Sequence, residues 1–319
     1  MNLKKLSILI PTYNRKSYLE NILEEIWKQI KENNLENYVE VIVSDNGSID
    51  GTKNILKNYT ENLNYQYLIN KKNLGPDKNF YNLIMAAKGE FLWILGDDEI
   101  LKKNTILKIV NIILNEQDIS YIFLKNKNKD KKYIFKNKDK YMKKISYEIS
   151  FISSNIFNKS YIDFKIDYNL FIGTNLLQEA FYLQALQKGN KFLFLEGDFF
   201  EIGRAENVGG YKFFKVFGGN QNEIFKFFNK NFSLSDDMIK FFNKKILQEF
   251  FPFHIIKYRE KEMLMNWEEE DIKSEIQKTF SKYLDYWIYC YPLLIFNLGF
   301  SRRYFFLLRI FNRIKRLIK

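Results

Sequence analysis

The 319 residues carry 50 Lys+Arg against 38 Asp+Glu, a formal net charge of +12, with 46% hydrophobic and 18% aromatic residues. That apolar content suffices for a sizeable core and excludes wholesale disorder. A single cysteine, Cys290, excludes intramolecular disulfides and cysteine zinc sites, and a single histidine, His254, excludes histidine-rich metal sites.

Leu6 to Ile10 reads as a buried strand ended by Pro11. Ser17 and Glu20 have capping-box spacing, and Leu19, Ile22, Leu23, Ile26 and Ile30 follow at helical spacing. Val39 to Val43 is a second strand, followed by the turn residues Asp45-Asn46-Gly47. Asp50 is placed to cap a helix carrying Ile55, Leu56 and Tyr59. Tyr65 to Ile69 is a third strand. Phe80, Leu83, Ile84 and Ala87 mark a helix face, and Phe91 to Leu95 is a fourth strand. Lys125 to Lys144, rich in lysine and asparagine, reads as an exposed hairpin or loop. Leu176 to Leu186 is helical and Lys191 to Leu195 a strand. From about Asn220 the pattern turns helical and aromatic, which sets an expected boundary between 1–219 and 220–319.

Strands alternating with amphipathic helices imply an α/β fold: a mainly parallel sheet with helices on both faces and ligands at the carboxyl ends of its strands. Here those ends carry Thr12 to Arg15, Ser44 to Asn46, Asn70 to Asn73, and Gly96 to Asp98. The last is the most informative. A five-residue apolar run stops at Gly96 and meets Asp97, Asp98 and Glu99 in a row. Carboxylates at the end of a buried strand are costly unless something positive neutralises them. A divalent metal carrying a nucleotide diphosphate does so, and a solvated acidic turn is the plain alternative. Oxygen-only ligands favour Mg²⁺ or Mn²⁺ over zinc. Pro11 and Tyr13 can wall an apolar slot for a base, and Asp45 can accept from a base N–H.

Neither GxGxxG nor GxxxxGK[ST] follows the first strand, which argues against dinucleotide dehydrogenases and P-loop enzymes. Instead IPTYNR, VIVSDNGSIDGT at 41–52, KNLG at 72–75 and ILGDDE at 94–99 occur in order. As a set they resemble a family 2 glycosyltransferase of the GT-A fold, over roughly residues 4–210, closest in flavour to the abequosyltransferase-like bacterial branch that assembles surface polysaccharides. The resemblance implies a nucleotide-sugar site of Pro11, Thr12, Tyr13, Arg15, Asp45, Asn73, Gly75 and Asp97. It implies a metal held by Asp98 with Asp97 beside it; Gly96 stands where the first aspartate of the family's Asp-x-Asp segment often is. Asp98 would thus act in catalysis through the metal. An inverting transfer also needs a general base for the acceptor hydroxyl. Counting back from Gly189 puts Gln178, which cannot be a base, at the family's usual aspartate, and leaves Glu179 as the candidate. Asp198 and Glu201 come next, and Arg204 is a candidate diphosphate contact.

His254, between Phe253 and Ile255, reads as structural. The positive charge suits an anionic partner, and also a merely well-solvated lysine-rich surface. After Lys4 and Lys5, Leu6 to Ile10 is too short for a secretory h-region and runs into Pro11-Thr12. The nearest approach to a membrane span, Tyr286 to Phe300, contains Pro292 and Asn297 and falls short of the ~20 apolar residues needed. The expectation is a cytoplasmic protein, at most peripheral on the inner face of the membrane. In 301–319, Leu307, Ile310, Ile314, Leu317 and Ile318 share one face and Arg302, Arg309, Arg313 and Arg316 lie on another. That pattern suits an anionic membrane surface or a core-docking helix. Taken together, the sequence points to a metal-dependent, inverting glycosyltransferase. It would use a nucleotide diphosphate sugar and a glycan acceptor, lipid-linked, with no nucleic acid involved. The alternatives are a nucleotidyltransferase, which would want a glycine-rich phosphate loop that IPTYNR lacks, and a non-enzymatic basic membrane- or nucleic-acid-binding module, which would not need carboxylates at strand ends.

Overall fold

The structure is a computed structural model that describes residues 4–62, 64–203, 210–261 and 268–317, with side chains described as far as Asn312. The chain divides into two compact units, 1–207 and 208–319.

In the first unit the elements run β1 (Leu6–Thr12), α1 (Lys16–Glu32), β2 (Val39–Asp45), α2 (Thr52–Lys57), β3 (Tyr65–Ile69), α3 (Pro76–Ala86), β4 (Phe91–Ile94), β5 (Ile100–Leu101) and α4 (Thr105–Asn115). They continue with β6 (Tyr121–Asn126), β7 (Lys131–Phe135), α5 (Lys138–Ile145), β8 (Asn155–Asn158), α6 (Leu177–Lys188), β9 (Phe192–Gly197) and β10 (Phe200–Glu201). Eight strands form one sheet in the order β3-β2-β1-β4-β8-β6-β9-β7, while β5 and β10 form a two-stranded ribbon. β3, β2, β1 and β4 are mutually parallel, and only β8 and β7 run against the rest. The expected mixed, mainly parallel α/β sheet is present. β1, β2 and β4 are buried along almost their whole length, as strands covered on both faces must be. The apolar stripe of α1, Leu19 to Ile30, joins them in the core.

Two local expectations are corrected. Ser17 does not cap α1: the helix begins after Arg15, no side chain at that position caps it, and Asp50 Oδ2 accepts from Lys16 N at 2.9 Å instead. Asp50 Oδ1 also accepts from Thr52 N at 3.1 Å, so one carboxylate serves the starts of both α1 and α2. The lysine-rich stretch is largely exposed, as expected, but is neither a hairpin nor a loop, since β6 and β7 each pair with β9 and not with each other. β7 is the edge strand of the sheet, and α5 buries Tyr141, Met142 and Ile145. Lysines on an edge strand deter pairing with other chains, so they belong there physically.

The second unit is helical among its described residues: α7 (Gln221–Asn231), α8 (Asp236–Lys245), α9 (Phe251–Arg259), α10 (Ile272–Phe280), α11 (Tyr291–Ile295) and α12 (Leu298–Leu317). π-helical turns at Ile246–Phe250 and Tyr286–Cys290 precede α9 and α11. Each of those helices opens on a proline, Pro252 or Pro292. A proline ring clashes with the carbonyl four residues back, and a wider turn relieves the clash. His254 stacks on Phe213 at 4.5 Å, and its Nδ1 lies 2.8 Å from Phe250 O, the structural role expected of it. No described helix is long and apolar enough to cross a membrane.

Candidate active site

Parallel strands all end at one edge, so β1, β2 and β4 deliver their carboxyl-terminal residues to one place. The register sets Thr12 opposite Asp45, and Leu95 N donates to Leu9 O at 2.9 Å, so the segment after β4 runs beside the end of β1. Two loops are stitched together there. Asn46 N donates to Thr12 O at 2.9 Å, Asn14 N to Ser48 Oγ at 2.8 Å, and Ile49 N to Asn14 Oδ1 at 2.9 Å.

Asp45 is fully buried. Its Oδ1 accepts from Ser48 N at 2.9 Å, closing the turn, while its Oδ2 has no hydrogen-bond partner. A buried carboxylate oxygen without a donor is expensive, and a ligand N–H would remove the cost. Gly47 makes the turn possible: its φ is +82°, and a Cβ there would lie 2.6 Å from the Lys72 carbonyl carbon. The backbone of the 70–75 loop therefore packs directly on the 45–48 turn. Asn46 secures that contact, its Oδ1 accepting from Leu74 N at 3.0 Å and from Asn70 Nδ2 at 3.1 Å, and its Nδ2 donating to Asn73 Oδ1 at 2.9 Å. Asn73 Oδ1 also accepts from Gly75 N at 2.8 Å. The side-chain oxygen of Asn73 is thus turned into its own loop.

After β4 the three consecutive carboxylates separate. Asp97 turns inward, 2% exposed; its Oδ1 accepts from Arg15 Nη1 at 2.7 Å, and the Thr12 hydroxyl is turned toward the same carboxylate. Burial pushes Asp97 above the ordinary carboxylate range even though Arg15 pulls it down. Asp98 faces outward, its side chain 20% exposed and 3.9 Å from the same guanidinium nitrogen. Glu99 turns in again, where Ser153 Oγ donates to its Oε1 at 2.9 Å and burial raises its pKa to about 7. Gly203 backs the segment so closely that a Cβ would overlap the Asp98 carbonyl. Tyr13, 37% exposed, and the half-buried Pro11 flank this edge, with the Thr12 hydroxyl enclosed behind them.

Among the described residues no three metal-ligating side chains converge. A Mg²⁺ ion that arrives with a substrate's phosphates asks for only one or two protein carboxylates. Asp98, outward and oxygen-donating, fits; Asp97 has one oxygen committed to Arg15.

The structure does not bring Glu179 to this surface. It is fully buried in the first turn of α6, in the electrostatic neighbourhood of Tyr121 and Tyr182. Gln178 beside it is 2% exposed, with Oε1 unpartnered. Helix α6 is buried on all sides from Leu177 to Leu186, so its first turn belongs to the core. Of the next candidates, Glu201 forms an exposed pair with Lys102, and Asp198 is exposed. Arg204 lies outside the described residues. Sequence reasoning missed Asp77, which is 2% exposed at the start of α3 and accepts from Gly173 N at 2.7 Å, Asn175 N at 2.9 Å and Leu177 N at 3.1 Å. The only local signal was an acidic residue in the first turn after Gly75-Pro76.

A family model, Glycosyl transferase family 2, matches residues 7–175. Abequosyltransferase RfbV of Salmonella typhimurium is 40% identical over 116 residues, 36% of this chain and 34% of that protein. The GalNAc(5)-diNAcBac-PP-undecaprenol beta-1,3-glucosyltransferase of Campylobacter jejuni is 35% identical over 97 residues, 30% of each. The chain therefore spans about a third of the length of these curated relatives. The S. aureus TarS 1-349 structure in complex with UDP-GlcNAc superposes with a TM-score of 0.60 at 18% identity, covering 94% of this chain and 88% of that one, a likeness of fold.

Proposed function

Since the chain belongs to Glycosyl transferase family 2, we propose that it moves a sugar, with inversion, from a nucleoside diphosphate to a glycan acceptor carried on a lipid, in bacterial surface-polysaccharide or glycoconjugate assembly. One observation carries this reading. The unpaired, buried Oδ2 of Asp45 lies at the same sheet edge as the Arg15–Asp97 pair and the outward Asp98. That edge offers an acceptor for a base N–H, a cation for phosphate and a carboxylate for a metal.

In this reading Pro11 and Tyr13 wall the base and Asp45 reads its edge. Arg15 faces the diphosphate, with Asp97 fixing the guanidinium, and Thr12 shapes the site from behind as the last residue of β1. Asn73 and Gly75 act by shaping the loop that the 45–48 turn packs on. Asp98, with Asp97 next to it, would hold Mn²⁺ or Mg²⁺. When bound, that ion neutralises charge developing on the leaving diphosphate. The lipid-linked acceptor is supported by the undecaprenol-linked substrate in the Campylobacter relative's name.

The enclosure of Glu179 alters its assignment. A base must reach an acceptor proton within hydrogen-bond distance; Glu179 lies inside a helix enclosed on all sides, whereas Asp45, although buried too, sits in the turn at the strand-end edge itself. Glu179→Gln is therefore expected to keep transfer within a few-fold of wild type and to lower the melting temperature. Both proteins would be incubated with nucleotide sugars and a bacterial lipid extract, reading nucleoside diphosphate release. Loss of release in the variant, with nucleotide binding intact, would return the base role to Glu179. If the wild-type protein releases nothing from any nucleotide sugar, the proposed reaction is wrong.

Peripheral membrane contact belongs to the same proposal. On α12 the packed side carries Ser301 and Leu308. Phe306, Leu307, Ile310 and Phe311 are exposed together with Arg302, Arg303 and Arg309. Leu307 and Ile310 therefore lie outward; Ile314, Leu317, Ile318, Arg313 and Arg316 are outside the described side chains. An anionic bilayer would take up the aromatics and attract each basic residue near it by about 1 kcal/mol. Replacing Phe306, Leu307 and Phe311 by Asn leaves the packed side intact. The variant is expected to lose sedimentation with phosphatidylglycerol vesicles, and raised salt to weaken wild-type sedimentation. Undiminished vesicle binding by the variant would move the contact off this helix.

A further inference from the structure

Asp77 has no part in the chemistry described so far, yet it is among the best-satisfied carboxylates of the first unit. It sits directly after Gly75-Pro76, the end of the loop that Asn46 ties to the 45–48 turn. Its two oxygens reach across to α6 and accept three backbone N–H groups, those of Gly173, Asn175 and Leu177. Gly173 and Asn175 both have positive φ, 91° and 58°, a backbone curled around the carboxylate. Burial pushes the carboxyl of Asp77 upward, while these N–H groups favour its charged form. An anion at a helix N-terminus is also favoured by the helix dipole. Two ring contacts run alongside: Tyr81 of α3 on Tyr168 at 6.1 Å, and Tyr168 stacked on Phe181 of α6 at 4.1 Å.

Asn46, next to Asp45 in the chain, is thus hydrogen-bonded to Leu74 N and Gly75 O, and Asp77, two residues beyond Gly75, is hydrogen-bonded in turn to Gly173, Asn175 and Leu177. We propose that Asp77 is a positioning residue that locks the 173–177 segment onto the donor loop, so that binding of a nucleoside diphosphate at Asp45 tightens the first turn of α6. This rests on the glycosyltransferase reading, in which that segment lies on the acceptor side. It makes acceptor-side order depend on an occupied donor site, the arrangement that keeps water from taking the sugar.

The test uses the intact protein with UDP, CDP, GDP and dTDP, each singly with Mn²⁺. Affinity is measured by calorimetry, and amide exchange is followed in peptides covering 171–178. In the wild type, the nucleotide that binds is expected to slow exchange in these peptides severalfold. Asp77→Asn, whose amide cannot accept all three N–H groups, should bind that nucleotide within about threefold of wild type and show no such slowing. A role in stability alone would raise exchange equally with and without nucleotide. Equal nucleotide-dependent slowing in both proteins, or none in the wild type on binding, overturns the proposal. Should Asp77→Asn fail to fold, Asp77→Glu, which keeps the charge on a longer arm, is read the same way, and the wild-type comparison alone still decides against the proposal if exchange does not respond. If none of the four nucleotides binds, the glycosyltransferase reading fails and this proposal falls with it.

Discussion

Asp98→Asn is expected to cut transfer by at least about a hundredfold, since a Lewis-acid ion is worth several kcal/mol and each 1.36 kcal/mol is a factor of ten. It should also abolish the Mn²⁺-dependent part of nucleotide binding. The fold should be spared. Asp98 is the outward member of the three carboxylates and stands 3.9 Å from Arg15, whose close partner is Asp97 at 2.7 Å. Asn keeps the size and one oxygen of the partly exposed Asp98 side chain, so the exchange is a mild one for the packing around it. Circular dichroism melting and nucleotide titrations with and without Mn²⁺ check both halves. Near-normal turnover in the variant would remove Asp98 from the metal site. The same change at Asp97 is a poorer probe, because it would remove the close partner of the largely buried Arg15, and breaking a buried pair is destabilising.

Asp45 yields the second large effect. Its loss should weaken nucleotide binding about ten- to a hundredfold, the worth of a hydrogen bond to a charged acceptor, about 1.5–3 kcal/mol. The rate at saturating donor should change far less, because the base is remote from the reacting carbon and the lost interaction is uniform binding. The geometry dictates the substitution. Asp45 Oδ1 also closes the turn on Ser48 N, so Asp45→Ala removes a base contact and a turn contact together. Asp45→Asn keeps the size and an oxygen for Ser48 while presenting an amide to the base. Both variants are expected to raise the donor KM. Unchanged nucleotide affinity in Asp45→Asn would exclude base recognition.

Much of the first unit was legible because buried parallel strands are continuous apolar runs. β1 to β4 were recognisable within a few residues, and with them the strand ends that make the site. What stayed hidden depended on contacts far apart in sequence. The capping-box spacing of Ser17 and Glu20 was real as a pattern, but Asp50 supplies the cap from another loop. The edge strand β7 was disguised by lysines whose purpose is to blunt an edge. The site was legible as residue types and not as orientations. Asp97, Asp98 and Glu99 look equivalent in a row, and only the turn at Gly96 sorts them into a buried partner for Arg15, a partly exposed carboxylate and a buried acid held by Ser153. The enclosure of Glu179 was hidden for a related reason: a carboxylate in a first helical turn reads as exposed unless the helix is known to be enclosed. Asp77 was invisible because its partners are backbone groups about a hundred residues away.

The central claim is that this sheet edge binds a nucleoside diphosphate with a divalent ion. Thermal unfolding with UDP, CDP, GDP or dTDP, each with and without Mn²⁺, tests it most directly. A ligand at a hundredfold excess over its Kd stabilises a protein by about 2.7 kcal/mol. At least one of the four should therefore raise the Tm by several degrees, more with Mn²⁺ than without, and the Mn²⁺ increment should vanish in Asp98→Asn. If no nucleoside diphosphate moves the Tm under either condition, the assignment of this edge as a nucleotide-sugar site is contradicted.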